Sequence, residues 1–180
     1  LSQFDGVVLI RERTQITRTI LQGLPKLKFI SLFGSCPHID IQACSDHGVL
    51  VCAGKRSNAP SFAAAEHTWA LIMAAAKNIP QQMQNLQNGI WQQGLARGLF
   101  GRRLGLYGYG RIAKQVADYA KAFNMQVEWW GSEQGRARAK TDGRAVAKSR
   151  ATFFAENDIV SVHLRLTSAT KGVITAADLG

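Results

Sequence analysis

Two glycines separated by one residue, Gly108 and Gly110, stand where a short apolar run gives way to a helical pattern. Gly108 would let the chain turn sharply out of a strand, and Gly110 would let the backbone approach a pyrophosphate with no β-carbon in between. Ala113, at the third small position, would let the helix pack closely on the strand. The N–H groups of Arg111 and Ile112 would then face an anion, favoured by the helix dipole. This spacing predicts a dinucleotide site, although glycine pairs also occur in ordinary strand–helix turns.

The net charge of +10 bears on which partners such a site could have. The excess of basic residues fits a solvated surface, a phosphate-rich small ligand or, in third place, nucleic acid. Aromatic residues are not interleaved with the charges as a base-stacking platform requires, so we expect no nucleic-acid partner. The basic residues that follow the second strand of this unit are Arg136, Arg138, Lys140, Arg144, Lys148 and Arg150.

Strand patterns alternate with helical patterns along the chain, which predicts a parallel α/β fold with right-handed crossovers. Trp91 is expected to anchor the loop at 89–103, and Pro80 to end or kink the long helix before it. The predicted strands are 6–10, 27–33, 49–52, 104–108, 125–130, a brief 145–147 and 158–164, and the predicted helices are 16–21, 40–47, 62–78, 81–87, 111–123, 136–140 and 151–156.

The polar Gly- and Pro-containing segment 54–60 is the clearest break in composition. It predicts two domains, residues 1–58 and residues 59–180. No apolar run reaches the roughly 18 residues of a membrane span, so no membrane association is expected. The three cysteines lack C-x-x-C spacing, which predicts free thiols and a cytoplasmic location. A helix cap at Thr175 shortly before the last residue, and an N-terminus with neither Met nor a basic region, indicate a fragment.

Several stretches together resemble the D-isomer-specific 2-hydroxyacid dehydrogenases, the family that includes D-3-phosphoglycerate dehydrogenase. The resemblance covers nearly the whole chain and is far more specific than the glycine pattern alone. Its carriers are His38-Ile39-Asp40 through Gly48-Val49, Ala64-Ala65-Glu66, the glycine turn at 108–113, and the segments 122–127, 158–164 and 170–172.

The resemblance implies part of a flavodoxin-like substrate domain followed by a parallel, doubly wound Rossmann domain, with the active site in the cleft between them. It implies NAD or NADP as cofactor, hydride transfer at C2 of a 2-hydroxy or 2-keto acid, and a homodimer formed through the helix at 62–78. The catalytic arginine, glutamate and histidine of the family lie beyond Leu179, so none of these 180 residues is assigned a catalytic role. A non-catalytic, dinucleotide-sensing regulator of the corepressor type stays open, because the fold alone does not decide function.

The four histidines are therefore assigned other places. His38 and His47 border a helix and are expected at the surface, whereas His67 is expected to be packed or at an interface. By the resemblance, His163 and Leu164 line the adenosine side of the cofactor, with a purely structural role for both as the alternative. Thr170 would border the cofactor further along.

Two departures from the family pattern affect ligand choice. Gly131 stands where an acid normally binds the ribose 2′-OH, so Ser132, Arg136 and Arg138 could hold a 2′-phosphate, which favours NADP slightly over NAD. The loop with Gly34 and Ser35, which by the resemblance would bind the substrate carboxylate, is shorter than expected. These two residues otherwise form an ordinary turn at the end of a strand.

Overall fold

The computed structural model describes residues 2–34, 36–54 and 62–180. The chain divides into two compact units, residues 1–59 and residues 60–180. The predicted segment 54–60 lies outside the described residues, apart from Gly54.

The first unit is a parallel sheet with helical crossovers. Its strands lie side by side in the order in which they occur along the chain. The core is built around Ile30 and Ala43, which have no exposed surface, together with Leu21 and Cys44. The elements are β1 (Gly6–Leu9), α1 (Arg18–Gln22), β2 (Phe29–Leu32), α2 (Ile41–Asp46) and β3 (Leu50–Ala53).

The second unit has a parallel sheet in which the first strand along the chain lies between the other two. Val146, in the predicted strand 145–147, makes one isolated bridge, to Trp129 in the strand at 126–130. The elements are α3 (Phe62–Ala76), α4 (Ile79–Gln87), β4 (Arg103–Tyr107), α5 (Arg111–Ala122), β5 (Gln126–Trp130), α6 (Glu133–Thr141), α7 (Arg150–Glu156), β6 (Ile159–Val162) and α8 (Ala176–Leu179).

Helices cover both faces of this second sheet. Alternate residues of β4 point to opposite sides and so pack against different helices. Leu104 and Leu106 lie in one core with α3 and α5. Tyr107 lies in another core with Phe153 of α7. Gly105 is required on that second face, since a β-carbon there would lie 2.9 Å from Phe153. The predicted parallel, doubly wound α/β fold is confirmed.

The long helix ends before Pro80, at Ala76, and Pro80 lies in the first turn of α4, where its missing N–H costs nothing. Two local expectations were wrong. Trp91 is 72% exposed and so is not the buried anchor that was expected. His38 is buried, because its segment forms a parallel bridge between Ile16 and Ile39 in the core of the first unit.

Within the described ranges, no helix combines the length and the apolar character that crossing a membrane requires.

Candidate cofactor site

The turn between β4 and α5 is shaped by Gly108. Its φ is +108°, a conformation that side chains disfavour. A β-carbon there would lie 2.8 Å from the carbonyl oxygen of His163. The N–H of Gly108 donates to the carbonyl of Trp130 at 2.8 Å. Protein backbone therefore closes on this residue from two neighbouring strands, and only glycine fits.

Gly110 has the opposite surroundings. Its φ of −114° and ψ of 179° are ordinary extended values, and a β-carbon would meet no atom of the described residues within 4 Å. That part of the chain thus gives no reason for a glycine here. The open space above it fits an external group that must approach the backbone closely, as a pyrophosphate does.

The N-terminus of α5 opens at the same place. Gly110 is the N-cap residue, no side chain caps the helix, and its first turn contains no acidic residue. The side chain of Ile112 packs against the core. The backbone N–H groups of Arg111 and Ile112 are thus at a helix terminus suited to an anion. Ala113 is fully buried against the sheet, as predicted.

The glycine turn lies at the point where the strand order of the sheet reverses direction. β5 and β6 flank β4, and their crossover helices lie on opposite faces, which is where open α/β sheets bind ligands. Leu164 and Gly131 also meet at Gly108. A β-carbon on Gly108 would lie 3.1 Å from Leu164 Cδ2, and one on Gly131 would lie 3.3 Å from the Gly108 nitrogen. Four predicted residues are thus brought together, namely Gly108, Gly131, His163 and Leu164.

His163 is half-buried at the end of β6. Its Nε2 lies 3.0 Å from Ser161 Oγ. Burial lowers the pKa of the imidazole, so the ring is neutral at pH 7. A neutral ring is compatible with contact to an uncharged adenosine.

The end of β5 carries the predicted ribose contacts. Ser132 is the N-cap of α6, and its Oγ accepts a hydrogen bond from the Gly135 N–H at 3.2 Å. The guanidinium carbon of Arg136 lies 4.2 Å from the ring centroid of Trp130. Glu128 points away, with its carboxylate 3.5 Å from Arg103 and 3.3 Å from Asn157 Nδ2. The guanidinium of Arg136 therefore lies beside the end of β5, and the carboxylate of Glu128 does not.

Thr170 makes its hydrogen bonds within its own segment. The Thr170 hydroxyl accepts from the Thr167 N–H at 2.8 Å and donates to the Arg165 carbonyl at 2.5 Å, although Thr170 shares a cavity of about 220 Å³ with Leu164. Gly34, in the first unit, has a φ of +106° and open space around it. Ser35 lies outside the described residues.

Sequence reasoning missed Trp130 and the three residues that we name the Tyr109 cluster: Tyr109, Lys114 and Asp142. The Tyr109 hydroxyl and Lys114 Nζ both donate to Oδ2 of Asp142, the latter at 2.8 Å. The adjacency of Trp130 to the strand end could have revealed its stacking with Arg136. No local signal marks Asp142, which is 33 residues away from Tyr109.

The geometry agrees with comparisons to known proteins. The family model for the NAD binding domain of the D-isomer specific 2-hydroxyacid dehydrogenases matches residues 69–180. D-3-phosphoglycerate dehydrogenase of Methanocaldococcus jannaschii is 32% identical over 171 residues, covering 93% of this chain and 32% of that relative. Hydroxypyruvate reductase of Thermotoga maritima is also 32% identical, over 93% of this chain and 54% of the relative.

Solved structures give the same result. An oxidoreductase from Ralstonia solanacearum superposes with a TM-score of 0.88 at 48% identity, covering 97% of this chain and 55% of that one. Phosphoglycerate oxidoreductase from Vibrio cholerae gives 0.85 at 43% identity, covering 98% and 56%. The chain thus spans between a third and just over half of these relatives. By sequence, fold and the geometry of its glycine turn, this chain belongs to the D-isomer specific 2-hydroxyacid dehydrogenases.

Proposed function

We propose that the chain is the cofactor-binding part of an enzyme that transfers a hydride between NAD(P) and C2 of a D-2-hydroxy or 2-keto acid, as in phosphoglycerate dehydrogenase. The observation that carries the proposal is Gly110, a glycine that the fold does not need, at the uncapped N-terminus of α5. The nicotinamide supplies or accepts the hydride. We divide the chain into part of a substrate domain, residues 1–58, and the NAD(P)-binding domain, residues 59–180.

Each part of the dinucleotide has its own contacts in this proposal. Gly108 and Gly110 leave room for the pyrophosphate, and Arg111 and Ile112 offer it their backbone N–H groups. The remaining contacts are Gly131, Ser132 and Arg136 at the ribose, His163 and Leu164 along the adenosine, and Thr170 at the border.

Arg136 favours NADP over NAD. Stacking on Trp130 holds its guanidinium beside the strand end. A planar guanidinium binds phosphate through paired hydrogen bonds, whereas the 2′-OH of NAD is normally bound by a carboxylate. Glu128 cannot serve as that carboxylate, because it already contacts Arg103 and Asn157.

Titration of the full-length protein with NADPH and NADH, followed by nicotinamide fluorescence, tests this preference. Arg136→Gln should raise the Kd for NADPH about tenfold, which corresponds to about 1.4 kcal/mol, and leave the Kd for NADH unchanged. Lys140→Gln, which removes an exposed positive charge on the same helix, is the matched control. Equal losses for both cofactors, or equal effects of both variants, would refute the preference.

The substrate acid and its catalytic groups are proposed by family membership. Gly34 and Ser35 would bind the substrate carboxylate through backbone N–H groups. The catalytic arginine, glutamate and histidine would lie outside these 180 residues. An absorbance assay at 340 nm on the full-length protein, with a panel of 2-keto acids and both cofactors, tests hydride transfer. Dinucleotide binding without turnover would instead favour a non-catalytic, dinucleotide-sensing regulator of the corepressor type.

We also propose a homodimer through the region of residues 62–78 and a cytoplasmic location. Apolar side chains are exposed on α3 and on the adjoining α4, including Leu71 at 58%, Met83 at 60% and Leu86 at 59%. Cys36, Cys44 and Cys52 are free thiols, as expected in a reducing compartment. Light scattering should give the mass of a dimer for the wild type and of a monomer for Leu71→Asp. An unchanged mass for that variant would contradict the proposed interface.

A further inference from the structure

Tyr109, the residue between the two turn glycines, lies along α6. Its β-carbon lies 3.7 Å from the position that a β-carbon on Gly135, in the first turn of α6, would occupy. Its hydroxyl donates to Asp142, the C-cap residue of the same helix. Its ring packs edge-on against Trp129 at 4.7 Å between centroids, and only 8% of the residue is exposed. The Tyr109 side chain therefore lies beside the first turn of α6 and is hydrogen-bonded to the C-cap residue of that helix.

Lys114 completes the cluster from α5. Its Nζ donates to Asp142 at 2.8 Å and lies 4.3 Å from the Tyr109 ring centroid. The hydrogen bond to Asp142 raises the pKa of Lys114, and the hydrogen bonds from Lys114 and Tyr109 lower the pKa of Asp142. Both groups are thus charged at neutral pH. The end of α6 is tied to α5 as well as to the turn.

α6 is also the helix that carries Arg136, whereas the turn carries the pyrophosphate contacts. A dinucleotide must meet both at once, so a fixed distance between them lowers the cost of ordering on binding. We propose that Tyr109, Lys114 and Asp142 are positioning residues that hold α6 against the phosphate turn and so set the separation of the two cofactor contacts. This inference rests on the proposed dinucleotide binding.

The test measures dinucleotide affinity in the full-length protein, at a temperature well below the Tm of every variant. Tyr109→Phe keeps the ring and removes the hydroxyl, and it should raise the Kd of the preferred dinucleotide about fivefold. Asp142→Asn should have a comparable effect. Tyr119→Phe and Asp118→Asn are the matched controls, because they make the same changes on α5, outside the cluster, and should leave the Kd unchanged. Lys114→Met provides a further variant should Asp142→Asn fail to fold.

A double-variant cycle separates positioning from a general loss of stability. If Tyr109 acts by placing Arg136, then Tyr109→Phe and Arg136→Gln should raise the Kd by less together than the product of their single effects. Effects that multiply fully would overturn the inference, and so would cluster variants that bind like their controls. A wild type that binds neither dinucleotide would overturn the proposed function itself, a result distinct from both.

Discussion

The carbonyl oxygen of His163 lies only 2.8 Å from the position that a β-carbon on Gly108 would occupy. The end of β6 thus packs against the turn after β4 with no side chain in between. At Gly110, two residues on, the described residues leave open the space that a β-carbon would occupy. The fold requires Gly108, whereas Gly110 leaves room for a ligand. This difference yields two contrasting predictions.

Gly108→Ala should destabilise the second unit. A side chain at a φ of +108° is strained, and its β-carbon would collide with backbone that cannot move away as a flexible side chain could. We expect a loss of about 2–5 kcal/mol in the free energy of unfolding, measured by urea denaturation with circular dichroism. A variant with wild-type stability would show that the backbone of His163 does not pack closely against Gly108.

Gly110→Ala and Gly110→Leu should behave differently, because the backbone there is ordinary and the space is open. We expect the free energy of unfolding to stay within about 1 kcal/mol of wild type. Dinucleotide affinity should fall, more for leucine than for alanine, because the added side chain occupies the place of the pyrophosphate. Calorimetric titration measures this, and undiminished affinity in Gly110→Leu would place the ligand elsewhere.

The contrast also shows how far the sequence could predict the site. The spacing of Gly108 and Gly110 and the flanking patterns were enough to predict the strand, turn and helix, since these depend on local residues. The spacing also assigned the sharp turn to Gly108 and the ligand approach to Gly110. The close contact that excludes a side chain at Gly108 is with His163, more than fifty residues away, and periodicity carries no such information. The Tyr109 cluster was invisible for the same reason.

The errors concern burial of single residues. A histidine beside a polar helix start is usually exposed, but His38 sits in a bridge between two core segments. A tryptophan in a loop is usually buried, but Trp91 is exposed next to an apolar face of α4. In both cases tertiary surroundings decided the outcome against a preference that residue type alone supports.

His38 leads to a prediction about the first unit. It is 4% exposed, and neither ring nitrogen has a hydrogen-bond partner in the described part of the chain. A buried polar group without a partner is costly, and an apolar replacement of similar size removes that cost. His38→Leu should therefore leave the free energy of unfolding unchanged or raise it by about 1 kcal/mol.

Ile30→Ala, at a fully buried position, should lower the free energy of unfolding by about 2–5 kcal/mol in the same urea titration. A clear loss in His38→Leu would mean that the imidazole has a partner.

The pair of Arg150 and Asp178 leads to a prediction about pH. Arg150 Nε lies 2.6 Å from one carboxylate oxygen of Asp178, and a terminal guanidinium nitrogen lies 2.8 Å from the other. This contact holds the pKa of Asp178 well below its usual value. A depressed folded-state pKa means that the pair stabilises the fold above the unfolded-state pKa of about 4, and that this stabilisation is lost as the pH falls below it.

Asp178→Asn should therefore lower the Tm at pH 7 and pH 5, and the difference from wild type should shrink between pH 4 and pH 3. Asp118→Asn, in a surface pair, should change the Tm little at any pH. If the Tm difference between Asp178→Asn and wild type is as large at pH 3 as at pH 7, the hydrogen bonds of Asp178, and not its charge, stabilise α8.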